Sequence, residues 1–117
     1  MSYGNKAYRS KYSNASIIVA SGVYVVGITD IEKNTYAPFR RLIIVNNSGS
    51  DTLVYINGTI QGTATVSNYE YLYPLPANYT LILEPSDNIF INTSPIIFNN
   101  SGSNIAIGKI EVMLQNY

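Results

Sequence analysis

The stretch Arg40-Arg41-Leu42-Ile43-Ile44-Val45-Asn46-Asn47-Ser48-Gly49-Ser50-Asp51-Thr52-Leu53-Val54-Tyr55-Ile56-Asn57-Gly58 decides the fold class. Leu42 to Val45 is an unbroken aliphatic run, too short for a helix and apolar at both parities, the pattern of a strand covered on both faces. Asn46 to Asp51 is turn chemistry: amide, hydroxyl and carboxylate side chains that bond their own backbone, with Gly49 free to take positive φ. Leu53 to Ile56 then reads as the return strand of a pair. Asn57-Gly58 predicts a second tight turn, because both central residues of a type I′ hairpin need positive φ.

The same vocabulary continues on either side. Ser16 to Ala20 and Val23 to Thr29 read as strands separated by Ser21-Gly22. Asp30 to Pro38 is polar and irregular. Thr59 to Val66 is a two-sided strand with Gly62 at a bend or bulge. Tyr69-Glu70-Tyr71-Leu72-Tyr73 places Tyr69, Tyr71 and Tyr73 on one face, as a core face or a subunit contact, and Leu72 opposite them as the better core candidate. Pro74 to Asn78 is excluded from any central strand. Tyr79 to Leu83 and Ile89 to Ile91 flank a proline turn at Glu84 to Asn88. Ser94-Pro95 introduces Ile96-Ile97-Phe98. Asn99-Asn100-Ser101-Gly102-Ser103 repeats the pattern of residues 46–50. Because the flanks do not match, this is one turn solution used twice, not a duplicated domain. Asn104 to Gln115 is the last strand. Ile105 and Ile107 lie at one parity, and Ile110, Val112 and Leu114 at the other. A bulge at Gly108-Lys109 would keep both sets on the core. Short strands at close spacing and no sustained helical period predict an all-β chain: a single jelly-roll or Greek-key β-sandwich of about eight strands.

With 117 residues there is room for one domain. We assign it to residues 15–117, preceded by a basic, tyrosine-rich, extended N-terminal arm over residues 1–14. In the arm Tyr3, Tyr8 and Tyr12 alternate with Lys6, Arg9 and Lys11, suiting it to order against a partner. No acid precedes Asp30, so residues 1–29 carry +3, and four cations against seven acids leave −3 on the rest. Three cations are too few for specific nucleic-acid binding, which needs a clustered basic patch. The apolar run Ala15 to Ile28 follows those cations but is too short to span a bilayer and is cut at Ser21-Gly22. Only 12% of residues are charged, against a usual share near a quarter, and net charge is zero. A surface of Asn, Ser, Thr and Tyr repels its copies weakly and favours association.

The chain has no Cys, His or Trp. Thiolate nucleophiles, disulfides and zinc–thiolate sites are thereby excluded, as are the usual general base and the commonest metal ligand. The carboxylates Asp30, Glu32, Asp51, Glu70, Glu84, Asp87 and Glu111 are scattered, although a glycosidase pair needs only two across a cleft. Ser48-Gly49-Ser50 lacks the lysine and helix of a phosphate loop, and neither Lys33 nor Lys109 stands in a serine–lysine motif. We therefore expect no enzyme, no catalytic residue, no metal and no cofactor. Asn-X-Ser/Thr begins at Asn14, Asn46, Asn57, Asn78, Asn92 and Asn99, mostly in predicted turns where a glycan would be accessible.

From Phe39 to Tyr117 the chain resembles small jelly-roll structural proteins of viruses and phages. The residues that carry the resemblance are Arg41-Leu42-Ile43-Ile44-Val45-Asn46-Asn47-Ser48-Gly49-Ser50, the short return strand, Leu75-Pro76-Ala77-Asn78-Tyr79-Thr80-Leu81 and the final Ile/Val strand. The Tyr, Ile and Asn bias without Cys is similar to virion proteins of hyperthermophilic archaea. In membrane-containing icosahedral viruses of the double-jelly-roll lineage, archaeal turreted viruses among them, a single jelly roll of this size forms the penton base at the vertex. Tailed-phage relatives are head-decoration or fibre-base proteins. The resemblance implies a virion capsid subunit. It would form a homo-oligomeric ring, with a pentamer as the form a five-fold vertex implies, and contact other capsid proteins. The arm would reach a neighbour, an inner membrane or a membrane protein. Two other readings of the residues stand beside it. One is a carbohydrate-binding sandwich with tyrosine platforms. The other is an extracellular filament subunit that donates residues 1–20 to a neighbour's sheet.

Overall fold

The computed structural model describes residues 7–11, 22–25, 38–62, 65–106 and 109–115. Ten strands are present among them: β1 (Ala7–Lys11), β2 (Val23–Val25), β3 (Arg41–Asn46), β4 (Thr52–Ile56), β5 (Thr59–Gln61), β6 (Thr65–Ser67), β7 (Tyr71–Leu75), β8 (Thr80–Leu83), β9 (Ile96–Asn99) and β10 (Ile110–Gln115). The described residues contain no α-helix, only a 3-10 turn at Pro85–Asp87. No helix there is long and apolar enough to cross a membrane.

The protein is an all-β sandwich with antiparallel sheets. One four-stranded sheet has the order β1-β10-β3-β8, the other β2-β9-β4-β7, and β5-β6 form a separate two-stranded ribbon. The pairings are nested: β1 with β10, β2 with β9, β3 with β8 and β4 with β7, around the β5-β6 ribbon. Leu42 and Ile44 from one sheet meet Val54 and Ile56 from the other in a core that also holds Leu75, Leu83, Ile97, Ile110, Val112 and Leu114. Phe39 closes one end through a two-bond bridge to Ile91, with N···O distances of 2.9 and 2.8 Å. Ile105 and Ile110 are both fully buried; the expected bulge at Gly108-Lys109 falls partly outside the described residues.

Three expectations are corrected. First, β3 and β4 are not a hairpin; they belong to different sheets, so the 47–51 turn crosses the sandwich. Each has one buried parity, and Ile43 and Val45 on the other are only half-buried. Second, Asn57-Gly58 is not a type I′ turn. Asn57 is left-handed at φ 57°, whereas Gly49 and Gly62 are the glycines with positive φ among the described residues. Gly58 is needed for close approach: a Cβ there would lie 2.9 Å from Val66 Cγ1 and 3.2 Å from Tyr69 Cβ. Third, Gly62 (φ 74°) does not bend one strand but sits in the turn that separates β5 from β6. Ser16 to Ala20 lies outside the described residues.

Candidate interaction surfaces

The repeated Asn-Asn-Ser-Gly-Ser motif builds the same turn twice, at one pole of the sandwich. Asn46 ends β3, is fully buried and donates from Nδ2 to the carbonyls of Ser50 (2.9 Å), Leu75 (3.2 Å) and Pro76 (3.2 Å). Its Oδ1 accepts from the Ser48 amide at 3.0 Å and from the Ser48 hydroxyl. Asn99 ends β9 and repeats this local arrangement with Ser103 O (2.9 Å), Ser101 N (3.1 Å) and Ser101 Oγ (2.8 Å). Backbone bonds carry each turn on from its sheet: Asn47 N–H donates to Lys109 O at 2.9 Å, continuing the β3-β10 ladder, and Asn100 N–H to Asp51 O at 3.0 Å, continuing β9-β4 and joining the second turn to the end of the first. Asp51 Oδ1 accepts from Ala77 N at 3.0 Å, which ties in the β7-β8 loop.

Asn57 locks the opposite pole. Its Nδ2 donates to Glu70 Oε1 and to Phe90 O, both at 2.8 Å, and its Oδ1 accepts from Asn92 N at 2.8 Å and Thr93 N at 3.3 Å. The expected glycan acceptors thus divide. Asn46 and Asn99 are buried, and the Asn57 amide is engaged; Asn78 and Asn92 are exposed. Asn14 lies outside the described residues. A glycan on Nδ2 of Asn46 or Asn99 would displace the turn it holds together.

The three tyrosines do not form one row. Asn68 is left-handed at φ 55°, and the strand starts only at Tyr71. Tyr71 and Tyr73 stack at 6.4 Å with 22° between their planes. They stand opposite Ile56 and Val54, on the core-facing parity of an edge strand. Tyr73 packs against the core. Burial, then the nearby Tyr71 and Asp87, hold its phenol above the ordinary tyrosine pKa. Tyr69 lies on the outer face, edge-on to Tyr55 at 4.9 Å and 71°. Leu72, expected in the core, stands opposite Tyr55 and is 38% exposed.

The β5-β6 ribbon covers part of that outer face. Ile96, opposite Tyr55, is buried there outside the main core, close to Gly58 and Val66. On the other sheet, Met113, Ile43 and Ile82 form one outward apolar row across β10, β3 and β8. Ile82 is 51% exposed. The signal for this row was the double apolar parity of Leu42 to Val45, which suggested a second covering layer. No described element of the chain lies over it.

The expected arm includes β1, so five of its residues belong to the sheet. The register sets Tyr8 opposite Leu114, Arg9 opposite Met113 and Lys11 opposite Glu111. Tyr3, Lys6 and Tyr12 lie outside the described residues. Four carboxylates hold local structure: Asp51 and Glu70 as above, Glu84 by pairing with Arg41 Nε at 3.2 Å, and Asp87 by accepting from Glu84 N at 2.7 Å. Arg40 instead places its guanidinium over the Phe90 ring at 5.0 Å. Asp30 and Glu32 lie outside the described residues.

No protein-family model matches this sequence, and no curated protein is significantly similar to it.

Proposed function

We propose that this chain is a single jelly-roll structural subunit of a virus particle, a vertex or penton-base protein that assembles with its own copies into a ring and contacts neighbouring shell proteins. The observation that carries the reading is the nested pairing. Pairing β1 with β10, β2 with β9, β3 with β8 and β4 with β7 is what results when one long antiparallel ribbon rolls into two facing sheets. The β5-β6 ribbon is then an insertion at the tip of that roll. Support for assembly comes from the outward side chains of Ile43, Ile82 and Met113 on a chain of zero net charge. Support for a structural rather than catalytic role comes from Asp51, Glu70, Glu84 and Asp87, each engaged in fastening a loop or turn.

Light scattering on the purified full chain, followed by electron microscopy of rings, tests the proposal. Rings of one fixed copy number are expected. A monodisperse monomer at high protein concentration, unchanged when neighbouring shell proteins are added, overturns it.

A further inference from the structure

Asn57-Gly58 is the one Asn-Gly pair in the sequence. Such a pair is chemically labile, because glycine has no Cβ to shield its backbone nitrogen. That nitrogen attacks the asparagine Cγ, forming an N–Cγ bond. The Cγ–Nδ2 bond breaks, and Nδ2 leaves as ammonia with the proton that the backbone nitrogen gives up through solvent. The product is a cyclic imide, which water opens to aspartate or isoaspartate. The attack requires the side-chain amide to turn its face toward the Gly58 nitrogen.

In the folded chain the amide is held from both ends. Nδ2 donates to Glu70 Oε1 and Phe90 O, both at 2.8 Å, and Oδ1 accepts from Asn92 N at 2.8 Å and Thr93 N at 3.3 Å. The bond to the Glu70 carboxylate is charge-assisted and therefore among the stronger kind. Gly58 is confined as well, with Val66, Tyr69 and Ile96 crowding the side where a Cβ would stand. Each residue of the pair has a structural reason to be there. Asn57 takes a left-handed φ of 57°, which asparagine tolerates better than most side chains, and Gly58 leaves no room for a larger residue. The packing of this pole thus selects the labile pair and restrains it.

We propose that Asn57-Gly58 is a one-way chemical latch: a modification site held unreactive while this pole is closed and converted, once the pole opens, to a residue that cannot close it again. Conversion replaces the Nδ2 donor with a carboxylate oxygen. That oxygen would meet Glu70 Oε1 and Phe90 O, acceptor against acceptor, with negative charge against negative charge at Glu70. The amides of Asn92 and Thr93 still suit a carboxylate, so half of the tie survives and half is reversed. Isoaspartate also routes the main chain through an additional carbon, which shifts Gly58 out of its slot against Val66 and Tyr69. The inference is independent of the proposed assembly, since every group in it belongs to one chain.

The test incubates the full chain in mildly alkaline buffer, folded or unfolded in guanidinium chloride. Peptide mapping separates the asparagine, aspartate and isoaspartate forms at position 57. Conversion is expected to be slower in the folded chain by about tenfold or more, because the bonds that must open include one to a charged group. Glu70→Ala, at an exposed position, is expected to raise the folded-chain rate severalfold. Asn57→Asp reproduces the product and is expected to lower the urea midpoint. Adding Glu70→Gln, which sets an amide donor opposite the new carboxylate, is expected to recover part of that loss. Equal conversion in the folded and unfolded chain, a folded rate unmoved by Glu70→Ala, or a midpoint unchanged by Asn57→Asp each overturns the latch. If Asn57→Asp fails to fold, limited proteolysis of a half-converted wild-type sample decides: converted molecules are expected to be cut first, and equal cutting overturns the latch.

Discussion

At the scale of single residues, asparagine does work that the low charge content leaves to be done. Asn46 and Asn99 occupy matching positions, yet the Asn46 amide holds three carbonyls and the Asn99 amide one carbonyl. Buried carbonyls left without a donor are expensive, so Asn46→Ala should destabilise by about 3 kcal/mol and Asn99→Ala by about 1.5 kcal/mol. Urea denaturation midpoints of the two variants check the order. Expression through a glycosylating secretory pathway should yield folded protein with glycans at Asn78 and Asn92 and none at Asn46, Asn57 or Asn99. Peptide mass mapping reads this directly. Tyr73 gives a pH signature. Its phenol is held above the usual value, chiefly by burial, so the folded state keeps a proton that the unfolded state releases first. Stability from this group is complete below about pH 10 and declines as pH rises beyond it, toward and through the folded-state value. Tyr73→Phe should flatten that decline in thermal melts taken across the alkaline range.

At the scale of elements, the sequence was most informative where bonding is local. The two Asn-Asn-Ser-Gly-Ser turns were legible because the bonds they share run from the asparagine side chain to residues two and four positions ahead; the reach of Asn46 to Leu75 and Pro76 was not. The partner of a strand is not local, and there the reading failed. A turn after β3 looks the same whether the chain returns to its own sheet or crosses to the other, since both arrangements bury alternate residues. Gly58 was recognised as special for the wrong reason. Its constraint comes from Val66 and Tyr69, which approach it only once the β5-β6 ribbon folds over the sheet. The tyrosine row failed at Asn68, whose left-handed backbone resets the alternation before Tyr71. Of the candidate surfaces, the apolar double parity at Leu42 to Val45 was visible, but its exposed partner Ile82 was not. Gly58→Ala should lift the ribbon and cost about 1–3 kcal/mol by overpacking. Near-ultraviolet circular dichroism should lose the Tyr55–Tyr69 contribution in that variant, while far-ultraviolet strand signal persists.

At the scale of the molecule, the two poles are fastened by different means. At one, ladder-continuing backbone bonds from both turns stand beside the Asn46 amide, which reaches Leu75 and Pro76 of the other sheet; at the other, the Asn57 side chain gathers Glu70, Phe90, Asn92 and Thr93. Amide hydrogen exchange tests this: Asn47 and Asn100, although in turns, should exchange as slowly as neighbouring strand amides, because each adds a rung to the ladder of its own sheet. Fast exchange at either would show that its ladder ends before the turn. The welded pole also sets where foreign sequence can be accommodated. A peptide spliced between Ser48 and Ser50, or between Ser101 and Ser103, would break the hydroxyl-to-amide bonds of 3.1 and 3.2 Å that fold each turn back on itself. At Gly62, where added bulk meets nothing within 4 Å, the same peptide would ride outward on the ribbon. That tip is the natural grafting point for displaying an epitope.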